Sequence, residues 1–286
     1  MASAEGGSAM DRVKFCIGGE SYKYMSKPKV IILRTAGTNC DQETAFAFER
    51  SGAKTELVHI NRLVEGSRTL GDYQILAIPG GFTYGDDVAS GKILANELKY
   101  GLEDDIIRFI KEGKLIIGIC NGFQVLVKAG LLPNLSGNFK IEATLTLNNS
   151  ARFEDCWTYL IKMNSRCIWT KAVSKEIIYL PVAHGEGKFV ARDETLLRLL
   201  DSEGLIVFKY ADKDGRPGEY PVNPNGSVEH IAGICDQTGR IFGLMPHPER
   251  HIDYTQHPRW MRGKADQQGD GIAIFKSGVD YAKKML

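Results

Sequence analysis

The sequence has almost no net charge: 36 lysines and arginines stand against 35 aspartates and glutamates, leaving +1. So even a balance offers no electrostatic footing for nucleic acid or for an anionic membrane surface. No apolar run reaches membrane-spanning length, and the opening Met-Ala-Ser-Ala-Glu-Gly-Gly-Ser lacks the apolar centre of a secretory signal. The six cysteines (16, 40, 120, 156, 167, 235) are scattered without a CxxC pair. That argues against a zinc site and, at this length, against a disulfide framework. No set of histidines and carboxylates has metal-ligand spacing, and no glycine loop ends in the Gly-Lys-Ser/Thr of a phosphate loop. Internal repeats are absent, and the only low-complexity tract is at the N-terminus. A cytoplasmic protein with reduced thiols and no metal is the simplest account.

With 43% hydrophobic and 25% charged residues, the chain has the make-up of a globular protein with one large core. Residues 1–28 read as a flexible N-terminal extension, although Val13–Ile17 has the composition of an edge strand. Residues 29–286 carry no linker-like break and read as one domain. Val30-Ile-Ile-Leu33, Glu56–Ile60 and Tyr73–Ile78 are strand patterns, each followed by a helix or loop. Thr38-Asn39-Cys40-Asp41 offers N-cap chemistry for a helix ending at Ser51-Gly52. Strands alternating with helices imply βαβ units and a parallel sheet, whose reactive groups collect beyond the strands' carboxyl ends. After Asn134 the rhythm changes. Segments from Lys140–Leu147 through Ile241–Met245 predict antiparallel additions, and a helix over 271–284 closes the chain.

One stretch organises the rest: Lys114-Leu-Ile-Ile-Gly-Ile-Cys120-Asn-Gly-Phe-Gln124. Its continuous apolar half predicts a strand buried on both faces, and its second half a helix. Gly118 and Gly122 flank Cys120 with the spacing of a nucleophile elbow, cysteine standing where a hydrolase has serine. Such a turn places sulfur at a helix N-terminus, where unpaired N–H groups and the helix dipole favour thiolate. Taken alone, the stretch leaves two readings open: a nucleophile, or a core cysteine at a strand end.

Two other segments bear on that choice. Pro79-Gly80-Gly81-Phe82 ends the third strand, and its backbone N–H groups can turn into the crevice as oxyanion donors beside that of Asn121. His247-Pro248-Glu249 is biased to extended backbone, which sets the His247 and Glu249 side chains on one face. A carboxylate beside one imidazole nitrogen fixes the tautomer of a general base. His184, in the glycine-rich Ala183-His-Gly-Glu-Gly187, is a weaker candidate to line the site. Cys40 lacks glycine flanks, His59 reads as structural, and His230, His251 and His257 show no partner pattern.

Gly118-Ile-Cys120-Asn-Gly122 with His247-Pro-Glu249 resembles the class I (triad) glutamine amidotransferases. Thr38-Asn39-Cys40-Asp41, Pro79-Gly-Gly-Phe-Thr-Tyr-Gly-Asp86, Ala183–Gly187, Asn223-Pro-Asn-Gly-Ser227 and Met245-Pro-His-Pro-Glu-Arg250 narrow the likeness to the glutaminase subunits of phosphoribosylformylglycinamidine synthase. The resemblance runs from about Pro28 to the C-terminus, in family order. It implies a flavodoxin-like α/β fold with a central, mostly parallel sheet flanked by helices and added antiparallel strands. It further implies hydrolysis of L-glutamine through a cysteine thioester. The ammonia would pass to a synthetase subunit that binds ATP and Mg²⁺, with a small bridging subunit, in de novo purine biosynthesis. Carried over by position, Cys120 is the nucleophile, His247 the base and Glu249 its orienter. Gly81, Phe82 and Asn121 become oxyanion donors, and Gln124, His184 and Glu186 lie near the glutamine. No cofactor is implied in this chain. The stretch from Tyr254 to Asp270 is longer than in compact bacterial forms. The rivals are a hydrolase of the PfpI/DJ-1 type, which places its base differently, and a non-catalytic regulatory module of the same fold.

Overall fold

The structure, a computed structural model, describes residues 27–262 and 268–285. Most of the N-terminal extension, with the edge-strand pattern at Val13–Ile17, lies outside the described residues, as does the middle of the 254–270 stretch. The first half alternates strand and helix: β1 (Lys29–Arg34), α1 (Asp41–Arg50), β2 (Lys54–His59), α2 (Ile60–Val64), β3 (Ile75–Ile78), α3 (Lys92–Gly101), α4 (Glu103–Lys111), β4 (Leu115–Ile119) and α5 (Asn121–Lys128). The second half is strand-rich: β5 (Ala143–Thr146), β6 (Glu154–Lys162), β7 (Ile177–His184), β8 (Lys188–Ala191), α6 (Glu194–Ser202), β9 (Ile206–Ala211), β10 (Ile231–Cys235) and β11 (Ile241–Leu244), closed by α7 (Ile272–Met285).

Nine strands form one sheet in the order β2-β1-β3-β4-β11-β10-β9-β6-β7, and β5 pairs with β8 apart from it. Strands β3, β4 and β11 are buried along their whole length, which matches their composition of Ile, Leu and Phe with only Ala77, Gly118 and Gly243 between. The chain steps one way from β1 to β2 and the other way from β3 to β4. Right-handed crossovers therefore put α1 and the α3–α4 pair on opposite faces, and the order reverses between β1 and β3. That switch opens a crevice at the carboxyl ends of the strands.

The mostly parallel sheet with antiparallel additions matches the expectation, with one correction. The sequence pattern puts Ile241–Met245 in the antiparallel series, but β11 runs parallel to β4, with Leu244 opposite Ile119, and antiparallel only to β10. The cap of α1 also differs. Cys40 occupies the cap position, and its side chain makes no cap bond. Thr38 Oγ1 instead accepts from the Thr35 N–H (3.1 Å), and Asn39 Oδ1 accepts from the Cys40 thiol (3.1 Å), so these side chains brace the turn rather than the helix.

The outermost strand, β7, is overlaid by the segment following the His-Pro-Glu turn. His251 Nδ1 donates to the Tyr179 carbonyl (2.7 Å), and Asp270 Oδ2 accepts from the Tyr179 N–H (2.9 Å). His251 and His257 pack with Trp157 and Tyr179 at ring-centroid distances of 5.1–5.7 Å.

The elbow is the tightest crossing in the sheet. A Cβ added to Gly118 would lie 2.4 Å from the Gly122 carbonyl oxygen, and one added to Gly122 would lie 1.9 Å from the Ile78 carbonyl oxygen. Gly118→Ala is therefore expected to destabilise the protein by roughly 1–3 kcal/mol or more. Gly71→Ala, where an added Cβ meets only ordinary contact at 3.5 Å, should change stability by under about 0.5 kcal/mol. Denaturant midpoints of the two variants against the parent check the contrast.

Candidate active site

Cys120 sits between β4 and α5 with φ 51° and ψ −105°, a backbone conformation that a residue with a Cβ rarely adopts. The strain is held in place by neighbours. The Cys120 N–H donates to the carbonyl of Leu244 at the end of β11 (2.8 Å), and the glycine crossing fixes the other side. The buried thiol lies 3.6 Å from the Ala183 carbonyl. At the start of α5 the N–H groups of Asn121 and Gly122 have no carbonyl four residues back to bond, so positive potential gathers beside the sulfur.

Because β11 runs parallel beside β4, the segment that follows it emerges at the same end of the sheet as Cys120. His247 is extended there (φ −101°, ψ 92°), and its N–H is anchored to the Pro181 carbonyl (2.8 Å). Its Nδ1 lies 2.6 Å from Glu249 Oε1, the expected pairing, but only His247 is extended and a 3-10 turn over Pro248–Arg250 brings the carboxylate back to it. Both side chains are buried. Burial works against an imidazolium at His247, but the Glu249 carboxylate and then Cys120 outweigh it, and the pKa is raised well above the ordinary value. Its Nε2 makes no hydrogen bond among the described residues. One ring nitrogen of His247 is thus held by a carboxylate, the arrangement a general base requires.

Other expected residues line a cleft of about 160 Å³ over Cys120, whose walls include Gly81, Gln124, His184 and Glu186. Gln124 Nε2 donates to the Glu186 carbonyl (2.7 Å), and Gln124 Oε1 accepts from Asn121 Nδ2 (2.9 Å). Gly81 adopts φ 152° in an antiparallel bridge to Thr38. The expectation for Phe82 needs correction. Its N–H donates to the Gly37 carbonyl (2.9 Å) and is not available to an oxyanion in this arrangement. Its ring instead lies at the cleft, 6.2 Å between centroids from that of Phe153.

Two residues without a signal in the sequence belong here. Cys40 Sγ lies 3.9 Å from His247 Nδ1 and accepts from Arg250 Nη2 (3.0 Å). Burial, opposed by hydrogen bonding to His247, raises its pKa, which keeps the thiol neutral. Ligand atoms of Cys40, His247 and Glu249 fall within 4.8 Å of one another. Yet Nδ1 and Oε1 are at hydrogen-bonding rather than co-ligand separation, and the Arg250 guanidinium already holds the sulfur, so the trio does not fit a metal ion. Asp86 is the second: it lines the cleft and accepts from Asn121 Nδ2 (3.2 Å). Cys40 and Asp86 lie in motifs quoted for the resemblance, but neither has a spacing that advertises its contacts.

Residues 27–282 match the CobB/CobQ-like glutamine amidotransferase domain. A curated protein from Dehalococcoides mccartyi, phosphoribosylformylglycinamidine synthase subunit PurQ, is 51% identical over 264 residues, covering 91% of this chain and 100% of that protein. The protein of the same name from Archaeoglobus fulgidus is 44% identical over 270 residues, covering 90% and 98%. Among solved structures, a chain of PurLQS from Thermotoga maritima superposes with a TM-score of 0.67 at 33% identity, covering 90% of this chain and 99% of that one.

His184 is pressed the opposite way from His247. It is buried against Gly187, where an added Cβ would lie 2.4 Å from the ring, and burial followed by the charge of His247 lowers its pKa to about 4. The unfolded chain, with a histidine pKa of about 6.5, then binds more protons than the folded one between those values. That part of the stability is complete above about pH 6.5 and is lost as pH falls. Between pH 7 and pH 5 it amounts to about 2 kcal/mol. His184→Gln should flatten the dependence, as read from denaturant midpoints at the two pH values. A loss at pH 5 undiminished in the variant would assign it to other groups.

Proposed function

The chain belongs to the CobB/CobQ-like glutamine amidotransferase family, and from that premise we propose that it works as the glutaminase subunit of phosphoribosylformylglycinamidine synthase. One domain over 29–286 hydrolyses L-glutamine to glutamate and hands the ammonia to a synthetase subunit. The observation that carries the reading is the buried 2.6 Å pairing of His247 Nδ1 with Glu249, at the same sheet end as the strained Cys120.

In this mechanism the Cys120 thiolate attacks the side-chain amide carbon of glutamine. A C–S bond forms and the carbonyl electron pair moves to oxygen, where the N–H groups at the start of α5 and the Gly81 turn receive it. One such donor is worth on the order of 3 kcal/mol in related acyl transfers. The oxygen pair returns as the C–N bond breaks, and imidazolium His247 gives its proton to the departing nitrogen, leaving ammonia and a glutamyl thioester. His247, now neutral, takes a proton from water. The hydroxide adds to the thioester, and glutamate leaves as thiolate and imidazolium are restored. Splitting the hydrolysis in two suits a poor electrophile such as a carboxamide. Glu249 holds the ring orientation and stabilises its charge throughout. Gln124, His184 and Glu186 position the substrate.

ATP and Mg²⁺ belong to the synthetase partner, a small bridging subunit completes the assembly, and the cytoplasm is the compartment that suits free thiols and purine synthesis. No helix among the described residues is long and apolar enough to cross a membrane. The regulatory-module and PfpI/DJ-1 readings give no account of Glu249 buried beside His247.

Cys120→Ala is expected to abolish synthesis from glutamine while leaving synthesis from ammonium salts within about twofold, when the variant is assayed with its synthetase. Near-normal use of glutamine by that variant would remove the cysteine from the mechanism. The isolated chain should hydrolyse glutamine weakly and gain at least about tenfold when the synthetase and its nucleotide are added, since turnover without an acceptor wastes glutamine. Equal glutamate release with and without the partner would contradict this coupling.

A further inference from the structure

The carboxylate that holds the base is only half used. Glu249 Oε1 lies 2.6 Å from His247 Nδ1, while Oε2, equally buried, makes no hydrogen bond among the described residues. A buried carboxylate oxygen without a donor is costly, and a guanidinium is the group best shaped to supply one. One is carried by the very next residue. Arg250 nevertheless makes no ion pair with Glu249. Its Nη2 donates to the Cys40 sulfur (3.0 Å), and its Nε lies 3.8 Å from Oε1 of the half-exposed Glu43.

Cys40 stands between the two. Its Sγ is 3.9 Å from His247 Nδ1, and the ligand atoms of Cys40, His247 and Glu249 all fall within 4.8 Å of one another. The sulfur has little freedom to yield. Cys40 is buried, its N–H donates to the Gly80 carbonyl (3.1 Å), its thiol donates to Asn39 Oδ1 (3.1 Å), and its carbonyl accepts from Thr44 Oγ1 (2.6 Å). Gly80 closes the other side: a Cβ added there would lie 3.1 Å from the sulfur and 2.8 Å from His247 Cε1. A neutral thiol is a weak donor and a weak acceptor, so it fills this gap without adding charge to it. The charged and titratable groups around His247 are then Glu249, Cys120 and the discharged His184, with Arg250 and Glu43 beyond the thiol.

We infer that Cys40 is a positioning residue of the triad, whose uncharged sulfur holds the Arg250 guanidinium off the free oxygen of Glu249 and so reserves that carboxylate for His247. The inference rests on the glutaminase reading above and concerns the support of its base. With the sulfur removed, the guanidinium moves onto Oε2 and forms a charge-assisted pair of its own. Two effects then act on the imidazolium in the same direction. The charge of Glu249 is partly cancelled, and a cation stands nearer the ring, so the pKa of His247 falls. A ring that has lost its proton has none to give to the departing ammonia.

The test follows the His247 ring by NMR in the full chain carrying ¹³C-labelled histidine, its resonance assigned by its loss in His247→Gln. In Cys40→Ala the titration midpoint should fall by at least about one pH unit, and kcat for glutamate release with the synthetase present by about tenfold. In Cys40→Ala/Arg250→Met both should return to within about half a unit and about threefold of the parent, the signature of coupled neighbours. Cys40→Ser keeps an uncharged atom in the gap and should recover most of the midpoint. Arg250→Met alone should move the midpoint by less than about half a unit, since the thiol already keeps the guanidinium away, and this arm holds even where Cys40→Ala does not fold. An unchanged midpoint in Cys40→Ala, a fall that survives the loss of Arg250, or a full-unit shift in Arg250→Met alone would each overturn the assignment. A parent chain whose His247 titrates at the ordinary value of about 6.5 would instead remove the triad, and with it the glutaminase reading.

Discussion

The parallel pairing of β11 with β4 is the constraint on which the site depends. The hydrogen bond from the Cys120 N–H to the Leu244 carbonyl sets the two strand ends level. The glycine crossing then decides where the sulfur emerges, and the Pro181 carbonyl decides where His247 stands. Antiparallel pairing at this position would deliver the residues after β11 to the opposite end of the sheet, away from the elbow. The other elements of the site hang from these few backbone bonds, one in the buried middle of the sheet and one reaching the outermost strand β7.

Around that frame the protein runs two histidines in opposite electrostatic states within one small volume. His247 has a carboxylate on one side and the cysteine on the other, and it holds charge despite complete burial. His184 has no carboxylate hydrogen bond among the described residues. It shares Asn225 Nδ2 at 3.4 Å and is discharged by burial and by its charged neighbour. The neutral ring adds no second cation beside the charged His247. The neutral thiol of Cys40 separates Arg250 from the Nδ1 edge of His247 in the same manner, placing a polarizable but uncharged atom between two cationic groups.

Much of this is legible from the residues. Glycines two either side of Cys120 specify a crossing that admits no Cβ, and His-Pro-Glu specifies extended backbone with its first and third side chains together. The first holds; of the second the side-chain pairing holds, but through an extended His247 followed by a 3-10 turn over Pro248–Arg250. The direction of β11 is not legible, because Ile-Phe-Gly-Leu is buried on both faces and carries no pattern that distinguishes a parallel from an antiparallel neighbour. The Phe82 N–H looks free from its place in a turn, but that turn pairs with the loop after β1, a contact visible only in three dimensions. Cys40 and Asp86 are hidden for the same reason. Cys40 reads as a capping-turn residue, and Asp86 as an acid in a polar loop, until the sheet brings both loops to one crevice.

The segment laid over β7 has a meaning of its own. A nine-stranded sheet must end somewhere, and an unpaired last strand is a template for another chain's backbone. Here both the N–H and the carbonyl of Tyr179, at the middle of β7, are occupied by side chains of the covering segment, Asp270 and His251, with His251 edge-on to the Trp157 indole and His257 tilted against the Tyr179 ring. The segment after the His-Pro-Glu turn is thus a selvedge. It occupies the edge of the sheet at Tyr179, and its first contact there, His251, stands two residues after Glu249. The segment that carries the base and its orienter is therefore stitched at one end to the sheet's centre and at the other to its hem.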